Sequence, residues 1–198
     1  MLKQKSGTRF ALAFSCMVAV PTFMGVAPAL AGNPVSLSSL ELDQVTAGSI
    51  TSHAGAASVG LGGNPRALTS TKTQAVQGKW FSYGTAGAKA YGSGADAAGA
   101  TAGILVSSDS VWASGVGTAE APNGGKTLVK VTGGVIDTKR ADIAYTTVIS
   151  ISYGADSVAT ASASSGSYDG TGTTRTFDRT ITKPWGTIAI SRTVTVTH

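Results

Sequence analysis

From Ser49 to the C-terminus the chain alternates large and small side chains with a period of two, the spacing of a β-strand. The clearest stretch sets Ile143, Tyr145, Thr147, Ile149, Ile151 and Tyr153 on one side and Ala144, Thr146, Val148, Ser150 and Ser152 on the other. The last segment repeats the arrangement. There Ile188, Ile190, Val194 and Val196 alternate with Thr187, Ala189, Ser191, Thr193, Thr195 and Thr197. Arg192 interrupts the bulky face of that segment, which predicts a bulge or an exit from the core near it.

Turn residues punctuate the pattern at hairpin intervals. Ser108-Asp109, Pro122-Asn123-Gly124-Gly125, Gly154-Ala155-Asp156, Tyr168-Asp169-Gly170 and Lys183-Pro184-Trp185-Gly186 separate segments of roughly ten residues. Nothing between them has the length or period of a crossover helix. The expectation is an all-β domain over 50–198, an antiparallel meander of about eight to ten strands that closes as a sandwich, a barrel or a curled sheet. Between Gly84 and Gly103, and again from Ala159 to Gly166, the side chains shrink to Ala, Gly, Ser and Thr with few exceptions. Two readings fit these tracts: an edge or crossing region of an ordinary sandwich, or strands that pair between molecules through small, weakly registered faces.

Upstream, Ser36 to Gly48 reads as one short helix followed by a linker, over 32–49. Ser38 and Glu41 have capping-box spacing, Leu37 and Leu42 the spacing of a hydrophobic staple, and Gly48 the position of a helix stop. Further upstream, Lys3, Lys5 and Arg9 lead into an apolar run from Phe10 to Val20, and Ala29-Leu30-Ala31 offers small residues at Ala29 and Ala31 for cleavage. Residues 1–31 therefore read as an export signal, too short and too interrupted by Pro21 and Pro28 to span a bilayer. Export implies the periplasm, the cell surface or the extracellular space.

That segment changes the charge account. Three of the 15 basic residues lie in it, which leaves twelve against ten acidic residues and a net charge of +2. Summed this way, the charge gives no argument for a nucleic acid or an anionic membrane. The single cysteine, Cys16, also falls there, so the remaining chain holds no disulfide, thiolate nucleophile or cysteine metal site.

The search for chemistry finds no catalytic, cofactor-binding or metal-binding constellation. His53 and His198 stand without a His-x-x-x-His partner, and Gly-x-Ser-x-Gly is absent. Glu120 to Thr127 mimics a phosphate loop but lacks its first glycine, and strand sequence follows it, so it reads as a hairpin. Asp137, Asp142, Asp156, Asp169 and Asp178 recur near strand ends, where aspartate in turns needs no metal to explain it. The candidate ligand-binding residues are the aromatics Trp80, Trp112 and Trp185, and Arg175, Phe177 and Arg179 share one strand face.

The stretch Leu37 to Gly48 resembles the Glu-Leu-Asp-x-Val-x-Gly-Gly ending of double-glycine leader peptides, with Ala47 in place of the first glycine. It also resembles a Leu-Asp-x-Val-Thr-Ala-Gly segment that follows the signal in small Ala/Gly-rich exported bacterial proteins of unknown function. The second resemblance implies a bacterial exported protein and carries no activity or site residue. Together these readings predict a non-enzymatic structural, adhesive or matrix protein acting through β-edge pairing. Its partners are then itself or cell-surface components, with no nucleic acid, no cofactor and no transmembrane segment. The alternative is a monomeric β-sandwich that binds a carbohydrate or a peptide.

Overall fold

The turn signals of the sequence become bends, and the strands between them run antiparallel with no helix among the described residues. The computed structural model describes residues 41–47 and 49–198. The strands are β1 (Glu41–Ala47), β2 (Ile50–Leu61), β3 (Arg66–Gln77), β4 (Phe81–Gly94), β5 (Ala97–Ser107) and β6 (Val111–Ala121). They continue with β7 (Gly125–Thr138), β8 (Asp142–Tyr153), β9 (Val158–Ser167), β10 (Thr173–Lys183) and β11 (Gly186–Thr197). Ten of them follow Ser49; the eleventh is β1.

β1 corrects the expected N-terminal helix. Glu41–Ala47 pairs antiparallel with β2, from Glu41 opposite Ala56 to Ala47 opposite Ile50. An isolated helix of two turns is marginal in water, while the edge of β2 offers a ready ladder and Val45 and Thr46 are β-branched. Residues 1–40, with the signal-like segment, Ala29, Ala31 and Ser38 of the expected cap, and Gly48, lie outside the described residues.

The strands form two sheets. One has five strands in the order β1-β2-β5-β6-β9, the other six in the order β10-β11-β8-β7-β4-β3. The chain lays hairpins alternately on the two layers, so that β1 faces β3, β2 faces β4, β5 faces β7, β6 faces β8 and β9 faces β11. The result is a sandwich. β10 continues the six-stranded sheet beyond β9 and has no facing strand of its own.

The sandwich is filled from the small faces. Ala144, Thr146, Val148, Ser150 and Ser152 of β8 are buried between the sheets, as are Ala189, Ser191, Thr193 and Thr195 of β11. Ala113 and Ala119 of β6 face β8, while Ala54 and Ala56 of β2 and Ala100 and Ala102 of β5 face β4 and β7 in the same core. The bulky faces of β8 and β11 point outward. No bulge interrupts the ladder at Arg192, which pairs with Phe177 on one side and Thr147 on the other, so the bulge or exit expected there does not form.

The reason is the shared parity of charge and bulk. Lys89, Lys130, Arg175, Arg179 and Arg192 lie on the same face as the isoleucines, and turning that face inward would bury unpaired cations at several kcal/mol each. Two small faces can instead close tightly. The tract Gly84–Gly103 supplies this approach from within both sheets: it covers most of β4 and β5, neither of which is an edge.

So thin a core gains little from each alanine, and hydroxyls supplement it. Ser152 donates to the Glu120 carbonyl at 2.6 Å, and Ser52 and Ser58 of β2 donate to the Gln74 and Leu68 carbonyls of β3. The Ala163 amide of β9 donates to Ser191 Oγ at 2.9 Å, and Ser165 shares hydrogen bonds with Thr193 and Thr195. β3 and β9 are thereby tied to the opposite sheet.

Candidate functional site

The inverted packing creates the most distinctive surface of the molecule, the outer face of the six-stranded sheet. Register places its side chains in rows that cross all six strands. One row reads Ile181, Ile188, Ile151, Leu128, Tyr91 and Leu68, and Leu68 at its end is 63% exposed. Another reads Val196, Ile143, Ile136, Tyr83 and Val76.

Cations fill the rows between and beside these. Arg179, Lys130 and Lys89 share one row with Ile190 and Ile149, and Lys89 lies directly opposite Lys130. Arg192 and Lys72 lie in the next row, Arg175 in a third, and Lys183, Lys126 and Arg66 close the far end. Nine lysines and arginines thus occupy this face, and none of the described carboxylates does. The remaining three cations after residue 31, Lys79, Lys139 and Arg140, sit in the bends β3–β4 and β7–β8.

The face is not flat throughout. Thr147 and Thr132 are short between taller rows, which leaves a hollow of about 420 Å³ walled by Phe177, Ile149 and Ile190 with Arg192 and Lys130 at its rim. The opposite sheet offers a contrast. Outward positions of β2, β5, β6 and β9 are mainly Gly, Ala, Ser, Thr and Val, and Glu120 is their one carboxylate.

The three candidate tryptophans are not brought together. Trp80 lies in the β3–β4 bend, 63% exposed, with the Lys139 and Lys79 ammonium groups 4.2 and 5.6 Å from its ring centroid. Trp185 lies at the opposite end of the sandwich, in the β10–β11 bend, stacked on Tyr153 at 5.7 Å between centroids. Trp112 is on the outer face of the five-stranded sheet, its indole against Gly166.

The aspartates are likewise scattered. Asp156 accepts from Asn123 at 2.8 Å, Asp169 accepts from the Thr171 amide and hydroxyl, and Asp178 accepts from Ser191. The Thr171 backbone amide, and after it the Thr171 hydroxyl, hold the Asp169 carboxyl below its ordinary value. Among the described residues no group of three or more His, Cys, Asp or Glu side chains could hold a metal ion. The phosphate-loop mimic is the β6–β7 bend, where the Gly124 amide bonds the Ala121 carbonyl at 3.2 Å.

Asp137 and Asp142 meet across the β7–β8 hairpin. Partial burial first, and then the Asp142 carboxyl, push Asp137 above its ordinary value. A carboxyl whose pKa is raised on folding binds its proton more tightly in the native state. Its contribution to stability therefore falls as pH rises from the unfolded pKa through the folded one. Asp137→Asn is expected to stabilise the protein at neutral pH by less than about 0.5 kcal/mol, since solvent screens the pair, and to change nothing below the ordinary carboxylate pKa. Urea melts at acidic and neutral pH measure this, and a neutral-pH loss of stability would contradict it.

No helix among the described residues is long and apolar enough to cross a membrane. What the sequence reading missed is the cationic face, because the charges were summed over the chain and not sorted by parity. No family model, curated protein or solved structure matches the chain.

Proposed function

We propose that the chain is an exported, non-enzymatic structural or adhesive protein that associates with itself by strand pairing at β10. The observation that carries this reading is the state of that edge. β10 is an eleven-residue strand without Gly or Pro, exposed along nearly its whole length, at the end of the six-stranded sheet. Where β3 and β9 are tied across the sandwich, the hydrogen bonds of β10 side chains among the described residues run back to β11, Thr174 sharing one with Thr195 and Asp178 accepting one from Ser191. A long regular edge of this kind is a template for another strand.

Charge selects the complement. Antiparallel pairing of β10 with a second β10 sets Asp178 against Asp178, Arg175 against Arg179, or Arg179 against itself, depending on register. The β1 sequence, with Glu41 and Asp43, is opposite in charge to Arg175 and Arg179, and a head-to-tail contact of this kind grows into a filament unless its rotation closes a ring. The signal-like sequence of residues 1–31 and the resemblance of Leu37 to Gly48 support the exported part of this reading.

Light scattering across a concentration series of the purified protein tests it. Growth into oligomers or fibres is expected. Asp178→Thr removes the inward-facing charge of the edge and is expected to lower the association concentration by roughly tenfold, about 1.4 kcal/mol, while Thr176→Lys with Thr180→Lys abolishes growth. A monomer at every concentration removes the reading. In its place would stand a monomeric binding module, for which the exposed Trp185–Tyr153 stack is the support.

A further inference from the structure

We propose that the outer face of the six-stranded sheet docks on an anionic lipid bilayer. The inference stands apart from β10 pairing, since it concerns a face and not an edge. Three observations carry it.

The first is uncompensated charge. Nine cations share the face with no described carboxylate, and Lys89 directly opposes Lys130 across the β4–β7 pair. Like charges opposed across a ladder destabilise it, so the arrangement is costly until an anion arrives. A net charge of +2 conceals this. The field is set by where the charges sit, and three quarters of the cations after residue 31 face one way.

The second is the chemistry between the cations. Ile181, Ile188, Ile151 and Leu128 form an aliphatic band beside Arg179, Lys130 and Lys89. A soluble polyanion such as a polysaccharide or nucleic acid keeps its own surface hydrated and gives isoleucine nothing to dissolve in. The boundary between lipid headgroups and acyl chains takes both parts, because lysine and arginine stems lie along the apolar surface while their charged ends reach the phosphates.

The third is shape. The hollow beside Phe177 is lined by Thr132 and Thr147 together with two cations, Arg192 and Lys130, which supply donors suited to a lipid phosphate. A second copy fits less well as the occupant. Face-to-face stacking of this surface would oppose nine cations to nine, and the outward positions of β2, β5, β6 and β9 bring Glu120 as their one carboxylate.

Flotation with vesicles of phosphatidylcholine alone, and of phosphatidylcholine mixed with phosphatidylglycerol, tests the proposal. The protein is expected to float with the mixed vesicles only and to be released by high salt. Arg192→Glu with Lys130→Glu lowers binding at least tenfold, from roughly fivefold per basic residue. Arg140→Glu, in the β7–β8 bend, leaves it unchanged. Ile151→Ser with Ile188→Ser weakens vesicle binding while its salt dependence stays, with near-ultraviolet circular dichroism confirming that each variant is folded. Failure to float with anionic vesicles overturns the proposal. So does equal affinity for a soluble polyanion that is indifferent to the isoleucine substitutions, which would make the face a polyanion site.

Discussion

Gly92→Ala costs the protein about 3 kcal/mol, at the upper end of what overpacking a core takes, and lowers the denaturant midpoint without changing the slope. Gly92 lies on the inner face of β4, over the point where Val59 of β2 pairs with Gly99 of β5. A Cβ there would enter between the carbonyl oxygens of Val59 and Gly99, closer than real Cβ atoms come to any neighbour, and would also press on Thr127 Oγ1 at 2.9 Å. Both carbonyls belong to backbone held in ladders, so neither can swing away as a side chain end would. Relief requires the two sheets to part locally, and parting also stretches the bond from Thr127 Oγ1 to the Gly92 carbonyl.

Gly87 in the same strand is the control. It faces outward, and a Cβ there would find ordinary contacts at 3.8 Å with Thr132 and Val131. Gly87→Ala is expected to stabilise by about 0.4–1 kcal/mol through the lost freedom of the unfolded chain. Opposite signs five residues apart, read in urea melts, report the alternation of faces along β4. Equal and small effects would mean that the sheets do not approach as closely as described.

The bends and the strand type were legible in the sequence, because both rest on local rules. Pro122-Asn123-Gly124-Gly125 and Tyr168-Asp169-Gly170 turn where turn chemistry says they should, and β8 occupies the alternating segment read from it. The face was not legible from bulk alone. Size argued that Ile143 to Tyr153 should be buried, while the lysines and arginines that decide the matter lie on neighbouring strands and become relevant only once the register is known. One signal was within reach: Arg192 stands in phase with Ile188, Ile190 and Val194, and an in-phase cation marks an exposed face at least as readily as a bulge. β1 was misread for a different reason. Its capping-box spacing is a local preference, and the edge of β2 outbids it through partners as far away as Ala56, opposite Glu41. The candidate site suffered most, because no single segment contains it.

The same inversion makes neighbouring residues of β8 respond in opposite ways to one substitution. Val148 is fully buried, on the side where Cβ atoms added at Gly115 and Gly117 would strike its methyls. Val148→Asp places a carboxylate between the sheets, where no lysine or arginine of the described residues shares the inner face, and the expected loss exceeds about 4 kcal/mol, a large part of the roughly 5–15 kcal/mol that holds a domain together. Ile149 is on the outer face, flanked in register by Lys130 and Ile190. Ile149→Asp gives up a half-buried side chain but gains Lys130 as a neighbour, so its cost stays near about 1 kcal/mol. Were the bulky face the core, the order would reverse: Ile149→Asp would unfold the protein and Val148→Asp would be tolerated at the surface. The two melts therefore decide which side of β8 is inside. They also decide whether the cationic face exists at all, because Lys130 shares its parity with Ile149 and both must point the same way.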